Sequence, residues 1–247
     1  MDQSLDPPPT TSPTLRSGGQ DAGAARGNAE ASRRRRERYG LLLIALVAVF
    51  AVQGIASPGP WEQVLVSVLL AVALLLALRA AEAKPRVMHP AFAIGALVVI
   101  ASIAQAAAGV VDGTAVRLAN LLLVALAPPA IVLGVMRSLR ARNVVTVEAV
   151  FGVLCMYMLL GMGFGFVYGA IARIDGRFFA NGIQASTAHC LYFSFTTLTT
   201  VGYGDLTAQT NLGHTLSASE ALLGQIYMVT IVSLIVGNLG RARRAQR

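Results

Sequence analysis

Six stretches of the chain are apolar for about twenty residues at a time, and polar or basic segments separate them. They run about Tyr39–Ser57, Trp61–Ala80, Pro90–Val110, Thr114–Met136, Val144–Ala170 and Leu216–Leu239. Each approaches the roughly 20 residues that a helix needs to cross the hydrocarbon core of a bilayer. The first stops at Pro58-Gly59-Pro60. Pro90 stands where a first-turn proline is favoured, because no helical N–H is needed there. Pro128-Pro129 predict a kink or break in the fourth helix. A shorter stretch, Gln184–Thr199, predicts a re-entrant helix that stops inside the membrane, followed by a loop. Non-helical backbone at that depth is tolerated only when it is buried in protein or lines a wet path. The pattern predicts an all-α membrane protein with six transmembrane helices, a re-entrant helix and a loop.

Composition agrees with this. Of 247 residues, 55% are hydrophobic and only 13% charged, too apolar for an ordinary soluble domain. The net charge of +8 matters less than its placement. Seven arginines lie in residues 1–38. Arg79, Lys84 and Arg86 lie between the second and third stretches. Arg137, Arg140 and Arg142 lie between the fourth and fifth, and Arg241, Arg243, Arg244 and Arg247 follow the sixth. Only Arg117, Arg173 and Arg177 fall on the opposite side. The positive-inside rule therefore predicts cytoplasmic termini and puts the loop before the sixth helix on the outer side. Residues 1–38 contain Pro7-Pro8-Pro9 and end in Arg33-Arg34-Arg35-Arg36-Glu37-Arg38, which predicts a disordered basic tail. Its arginine run is expected to touch anionic lipid heads at the cytoplasmic face, not nucleic acid.

The loop reads Thr199-Thr200-Val201-Gly202-Tyr203-Gly204-Asp205. Its chemistry is carried by the backbone. Two glycines allow positive φ, so successive carbonyls can be aimed the same way. Four copies around an axis would give rings of carbonyl oxygens that replace the water shell of K+. The C-terminal end of the re-entrant helix, pointing inward, adds partial negative charge favouring a cation. At these residues the chain resembles the potassium-channel family, over about Val144–Gly240.

The resemblance implies a homotetramer conducting K+ ions as permeant ligand, with no organic cofactor. It implies that carbonyls of Thr200, Val201, Gly202 and Tyr203 line the K+ sites, with the Thr200 hydroxyl closing the inner one. Thr199, Gly204 and Asp205 flank them, Gly204 allowing the outward turn. Tyr192 and Phe193, in Tyr192-Phe193-Ser194-Phe195, are implied to pack as a cuff around the filter. Where some relatives carry a carboxylate paired with the filter's aspartate, this chain has Thr196, which cannot form that pair. Gly224 is implied to be a hinge of the inner helix, with close helix packing as the competing reading, and Gly237 is a second candidate. Glu220, one turn into an apolar span, is a gating candidate, since charge at such depth is costly. It either sits behind the filter near Tyr203 or Thr196, or lies wet at the outer interface.

Four helices ahead of a pore resemble a voltage-gated layout in number only. Between Arg117 and Arg137 there is no basic residue, so steep voltage gating has no source. Glu148 either pairs with Arg140 or Arg142 or serves as a first-turn carboxylate. The organisation expected is a tail at 1–38, a four-helix membrane domain at 39–143, a pore domain at 144–240 and a short tail at 241–247 with no room for a ligand-binding domain. Cys155 and Cys190, and His89, His189 and His214, have no metal-ligand spacing. No catalytic constellation points to an enzyme. The rivals are a weakly selective cation channel, a non-conducting sensory or structural membrane protein, and a carrier. The last would need matching halves with broken helices, and these halves do not match.

Overall fold

The computed structural model describes residues 37–55, 59–81, 85–109, 118–129, 131–132 and 147–244, all within one compact unit, Arg35–Arg247. The helices are α1 Glu37–Ile55, α2 Pro60–Ala80, α3 Pro85–Ala107, α4 Leu118–Pro129, α5 Val147–Asp175, α6 Thr187–Leu198 and α7 Asn211–Arg244. Among the described residues there is no strand, only an isolated antiparallel bridge between Phe179 and Ala208.

α1, α2, α3 and α5 are long and apolar enough to cross a membrane. α7 is longer, 34 residues or about 51 Å, with a more polar first half that includes Asn211, His214, Ser217, Ser219 and Glu220. The chain is an all-helical, multi-pass membrane protein.

Its helices are apolar on two sides, as in lipid. On α1, Tyr39, Leu42, Leu46 and Val49 form a buried stripe at helical spacing, while Leu41, Ile44 and Val47 on the other side are exposed. The stripe joins Val66, Leu70, Leu74 and Ala77 of α2, Leu123 and Ala127 of α4, and Cys155, Leu159, Met162 and Phe166 of α5 in one core. Inside it, the Ser67 hydroxyl of α2 donates to Asn120 Oδ1 of α4 at 3.0 Å. α2 packs on α3, and α6 is wedged between α5 and α7.

Several boundaries differ from those expected. α3 starts at Pro85, so Pro90 lies inside the helix rather than at its start. Pro85 takes the first position itself, and the bond lost at Pro90 is the one to the Arg86 carbonyl, near the solvated end of the helix. α5 runs five residues past Ala170 and stops at Asp175. Gly176 follows at φ +71°, the left-handed conformation that commonly ends a helix. α6 is shorter at both ends than Gln184–Thr199, because Ser186 caps it and Thr199 ends it. α7 begins five residues before Leu216. The described part of α4 ends at Pro129. The expectations for residues 1–36, for Arg137, Arg140 and Arg142, for Arg117 and for the Glu148 side chain lie outside the described residues.

Candidate functional site

Small residues bring α6 into the fold. The Ser186 hydroxyl accepts from the His189 N–H at 3.1 Å and caps the helix. α5 carries Gly161 and Gly165 one turn apart, facing Phe195 and Leu191, which are also one turn apart. A β-carbon at Gly161 would stand 2.8 Å from the Phe195 ring, and one at Gly165 would stand 2.8 Å from Leu191 Cδ2. This is the small-xxx-small packing of membrane helices, in which missing side chains let backbones approach.

At its C-terminal end α6 passes into the loop through Thr199, whose N–H bonds the Phe195 carbonyl at 3.0 Å. The Thr199 hydroxyl donates to the same carbonyl at 2.6 Å. The Thr196 carbonyl then accepts from two successive amides, Val201 at 2.9 Å and Gly202 at 3.1 Å. That fixes the start of the loop to the last turn of the helix. The Thr196 hydroxyl donates to the Phe193 carbonyl at 3.0 Å.

Thr200, Gly202 and Gly204 have φ of +59°, +51° and +80°, whereas Val201 and Tyr203 between them do not have positive φ. In a strand, successive carbonyls alternate in direction. Reversing the sign of φ at every second residue undoes that alternation and lets them face one side. Thr200 bears the largest local cost, since a β-branched residue is disfavoured at positive φ. A β-carbon on Gly202 or Gly204 would meet nothing within 4 Å, so φ alone calls for glycine there. Thr200 to Asp205 are exposed in the single chain.

The expected aromatic cuff divides in two. Tyr192 stacks on Tyr203, with ring centroids 6.3 Å apart and planes within 6°, and its hydroxyl lies near the Asp205 side chain. Phe193 does not join it. Its ring turns into a buried cluster with Tyr168, Phe178 and Phe179, at centroid distances of 5.3, 5.9 and 5.4 Å. Neighbours on a helix point about 100° apart, so two adjacent aromatics cannot both face the loop. The cluster anchors the segments that flank α6 and the loop, where Ala180 N–H bonds Thr207 O at 2.9 Å and Gln209 N–H bonds Phe178 O at 2.8 Å.

On α7, Gly224 abuts Leu198, the last residue of α6. A β-carbon there would lie 2.2 Å from the Leu198 carbonyl oxygen. Close packing therefore accounts for this glycine. Both Gly224 and Gly237 lie within one continuous helix. Gln225 Nε2 donates to Thr200 Oγ1 at 3.4 Å. Glu220 is fully buried, so the wet position at an outer interface is excluded. Its partners are not Tyr203 or Thr196. Oε2 accepts from the Tyr168 hydroxyl at 2.6 Å, and Oε1 accepts from the Ser194 hydroxyl at 2.5 Å. Packing of α5, α6 and α7 closes over the carboxyl, with the hydroxyls of Tyr168 and Ser194 as its partners.

Tyr157, Tyr168, Ser194, Gln225 and the Gly161–Gly165 pair escaped the sequence reading. Signals for some were present: a serine in an aromatic run, a glutamine after a glycine, and a small-xxx-small spacing on α5.

Residues 162–240 match a family model described as an ion channel. The match begins within α5, includes all of α6 and the loop, and ends near the end of α7. No curated protein matches the chain. The second half of the chain thus holds an ion-channel domain, and channel function follows at that level.

Proposed function

We propose that the chain is one subunit of a homotetrameric, potassium-selective channel of the cell membrane. Six helices per subunit cross the bilayer, and both termini are cytoplasmic. Residues 144–240 form the pore domain, and residues 39–143 form a four-helix domain without sensor arginines. Potassium ions pass through rings of carbonyls from Thr200, Val201, Gly202 and Tyr203, supported by Thr196, Thr199, Gly204, Asp205 and Tyr192. The basic tail at 1–38 rests on anionic lipid.

The observation that carries this reading is the backbone of the loop. Its φ angles are positive at residues 200, 202 and 204 only, and the carbonyl of Thr196 is held by two loop amides. That conformation suits a row of carbonyls facing one side, and one row is a quarter of a coordination shell. The exposed apolar side chains of α7, among them Leu222, Ile226 and Val229, favour association with further copies.

Purified protein in liposomes tests the proposal. Potassium-driven flux that barium blocks and sodium does not replace is the expected result, with Gly202→Ala as the inactive control. Equal sodium and potassium flux would make this a weakly selective cation channel. No flux from folded tetramer would make the loop non-conducting.

A further inference from the structure

Glu220 stands between three helices. Its carboxyl receives the Tyr168 hydroxyl of α5 and the Ser194 hydroxyl of α6, and the Ser194 hydroxyl also lies 2.6 Å from the Gly161 carbonyl of α5. All the side chains involved are buried: Tyr168, Ser194 and Glu220 each have no exposed surface. A carboxyl in such a place is costly unless hydrogen-bonded, and cutting the bonds leaves it unsatisfied.

One turn away, the same three helices meet again. Leu198 is four residues after Ser194, and Gly224 is four residues after Glu220. There the Leu198 carbonyl receives the Tyr157 hydroxyl at 3.2 Å and presses on Gly224. Tyr157 is in turn four residues before Gly161. Two nodes, one polar and one steric, therefore grip α6 one turn apart. Between them lies Thr196, whose carbonyl holds the amides of Val201 and Gly202. A rotation or slide of α6 would move that carbonyl and with it the start of the loop. The steric node limits how close α7 comes, and of the two nodes only the polar one ties α7 to α6.

We infer that Glu220 is a positioning residue, a buried strut that keeps α6 in register with α5 and α7 and thereby holds the carbonyl row in its conducting shape. This rests on the proposed potassium pore. The strut acts through Ser194 and touches no ion.

Single-channel recording of the full-length tetramer in bilayers tests it, at low and at high external potassium. Glu220→Leu removes both acceptors, and Ser194→Ala removes the link to α6 together with the Ser194 contact to the Gly161 carbonyl. Glu220→Gln keeps an acceptor and adds a donor, and so preserves the node. Open bursts should shorten roughly 10-fold in Glu220→Leu at low potassium, from the loss of two hydrogen bonds. High potassium should restore them, because ions bound in the row stabilise the shape that binds them. Glu220→Gln should stay close to wild type. Ser194→Ala should shorten bursts in the wild-type background and have a smaller effect in Glu220→Leu, since the two residues share one link. A residue that only aids folding would instead lower the number of channels and leave each channel unchanged at either concentration. If Glu220→Leu does not assemble, Ser194→Ala alone carries the test. Unchanged bursts, shortening that potassium does not relieve, or additive effects of the two substitutions would overturn the strut while leaving a conducting wild type intact. A wild type without selective potassium current would sink the pore reading and the strut with it.

Discussion

Gly224 and the Leu198 carbonyl oxygen are so close that a single added methyl group on the glycine would stand 2.2 Å from the oxygen. The same carbonyl also receives the Tyr157 hydroxyl at 3.2 Å, which holds it in place. The glycine is required by the end of α6, whatever bending α7 undergoes.

Gly224→Ala should therefore destabilise the assembled protein by about 1–3 kcal/mol, the usual cost of overpacking. Thermal melting in detergent measures it. A glycine kept only as a hinge would give an alanine variant with an unchanged melting temperature and a lower open probability, so the two readings part cleanly.

The glycines of α5 supply an internal control. Gly161 and Gly165 leave no room for a β-carbon, whereas one on Gly163 would make ordinary contact with Val124 Cγ1 at 3.8 Å. Gly161→Ala and Gly165→Ala should each lose about 1–3 kcal/mol. Gly163→Ala should be neutral or gain up to about 1 kcal/mol from helix propensity. Equal effects at all three positions would mean that α6 does not sit in this groove.

The position of this site could be read from the sequence more easily than its bracing. Helices emerge from the lengths of apolar runs, and the loop emerges from seven consecutive residues whose function is local to the backbone. Bracing joins residues distant along the chain: Tyr168 to Glu220 spans 52 positions and Ser194 to Glu220 spans 26. Nothing in the neighbourhood of Glu220 reveals those hydroxyls. The division of Tyr192 from Phe193 follows from helix geometry, but which of the two faces the loop depends on where Gly161 and Gly165 seat α6. Pro90 misled because two prolines compete for the start of one helix, and the earlier one takes it.

That division separates two kinds of defect. Phe193→Ala removes a ring from a buried aromatic cluster and should cost about 3–5 kcal/mol of stability, read as a lower melting temperature. Tyr192→Phe keeps the stack on Tyr203 and loses only the hydroxyl that meets Asp205. Its melting temperature should hold while the sodium-to-potassium permeability ratio rises about 2- to 10-fold, the worth of one polar contact. Reversed phenotypes would place Phe193, not Tyr192, at the loop.

Gln225 touches the loop from α7. Its Nε2 donates to Thr200 Oγ1 at the long distance of 3.4 Å, so a modest effect is expected. A hydroxyl oxygen has two lone pairs and one proton. Occupying one lone pair with an amide N–H orients the other, and the proposed inner ion site uses that oxygen. Gln225→Leu should loosen the site and weaken barium block from the cytoplasmic side by about 2- to 10-fold. Thr200→Ser keeps the hydroxyl and also lightens the strain of a β-branched residue at positive φ, so it should retain the block. Permeability to sodium relative to potassium should barely change in Gln225→Leu, because the Val201 and Gly202 amides keep their hold on the Thr196 carbonyl. Undiminished block in Gln225→Leu, together with lost block in Thr200→Ser, would show that the hydroxyl is oriented by something other than this glutamine.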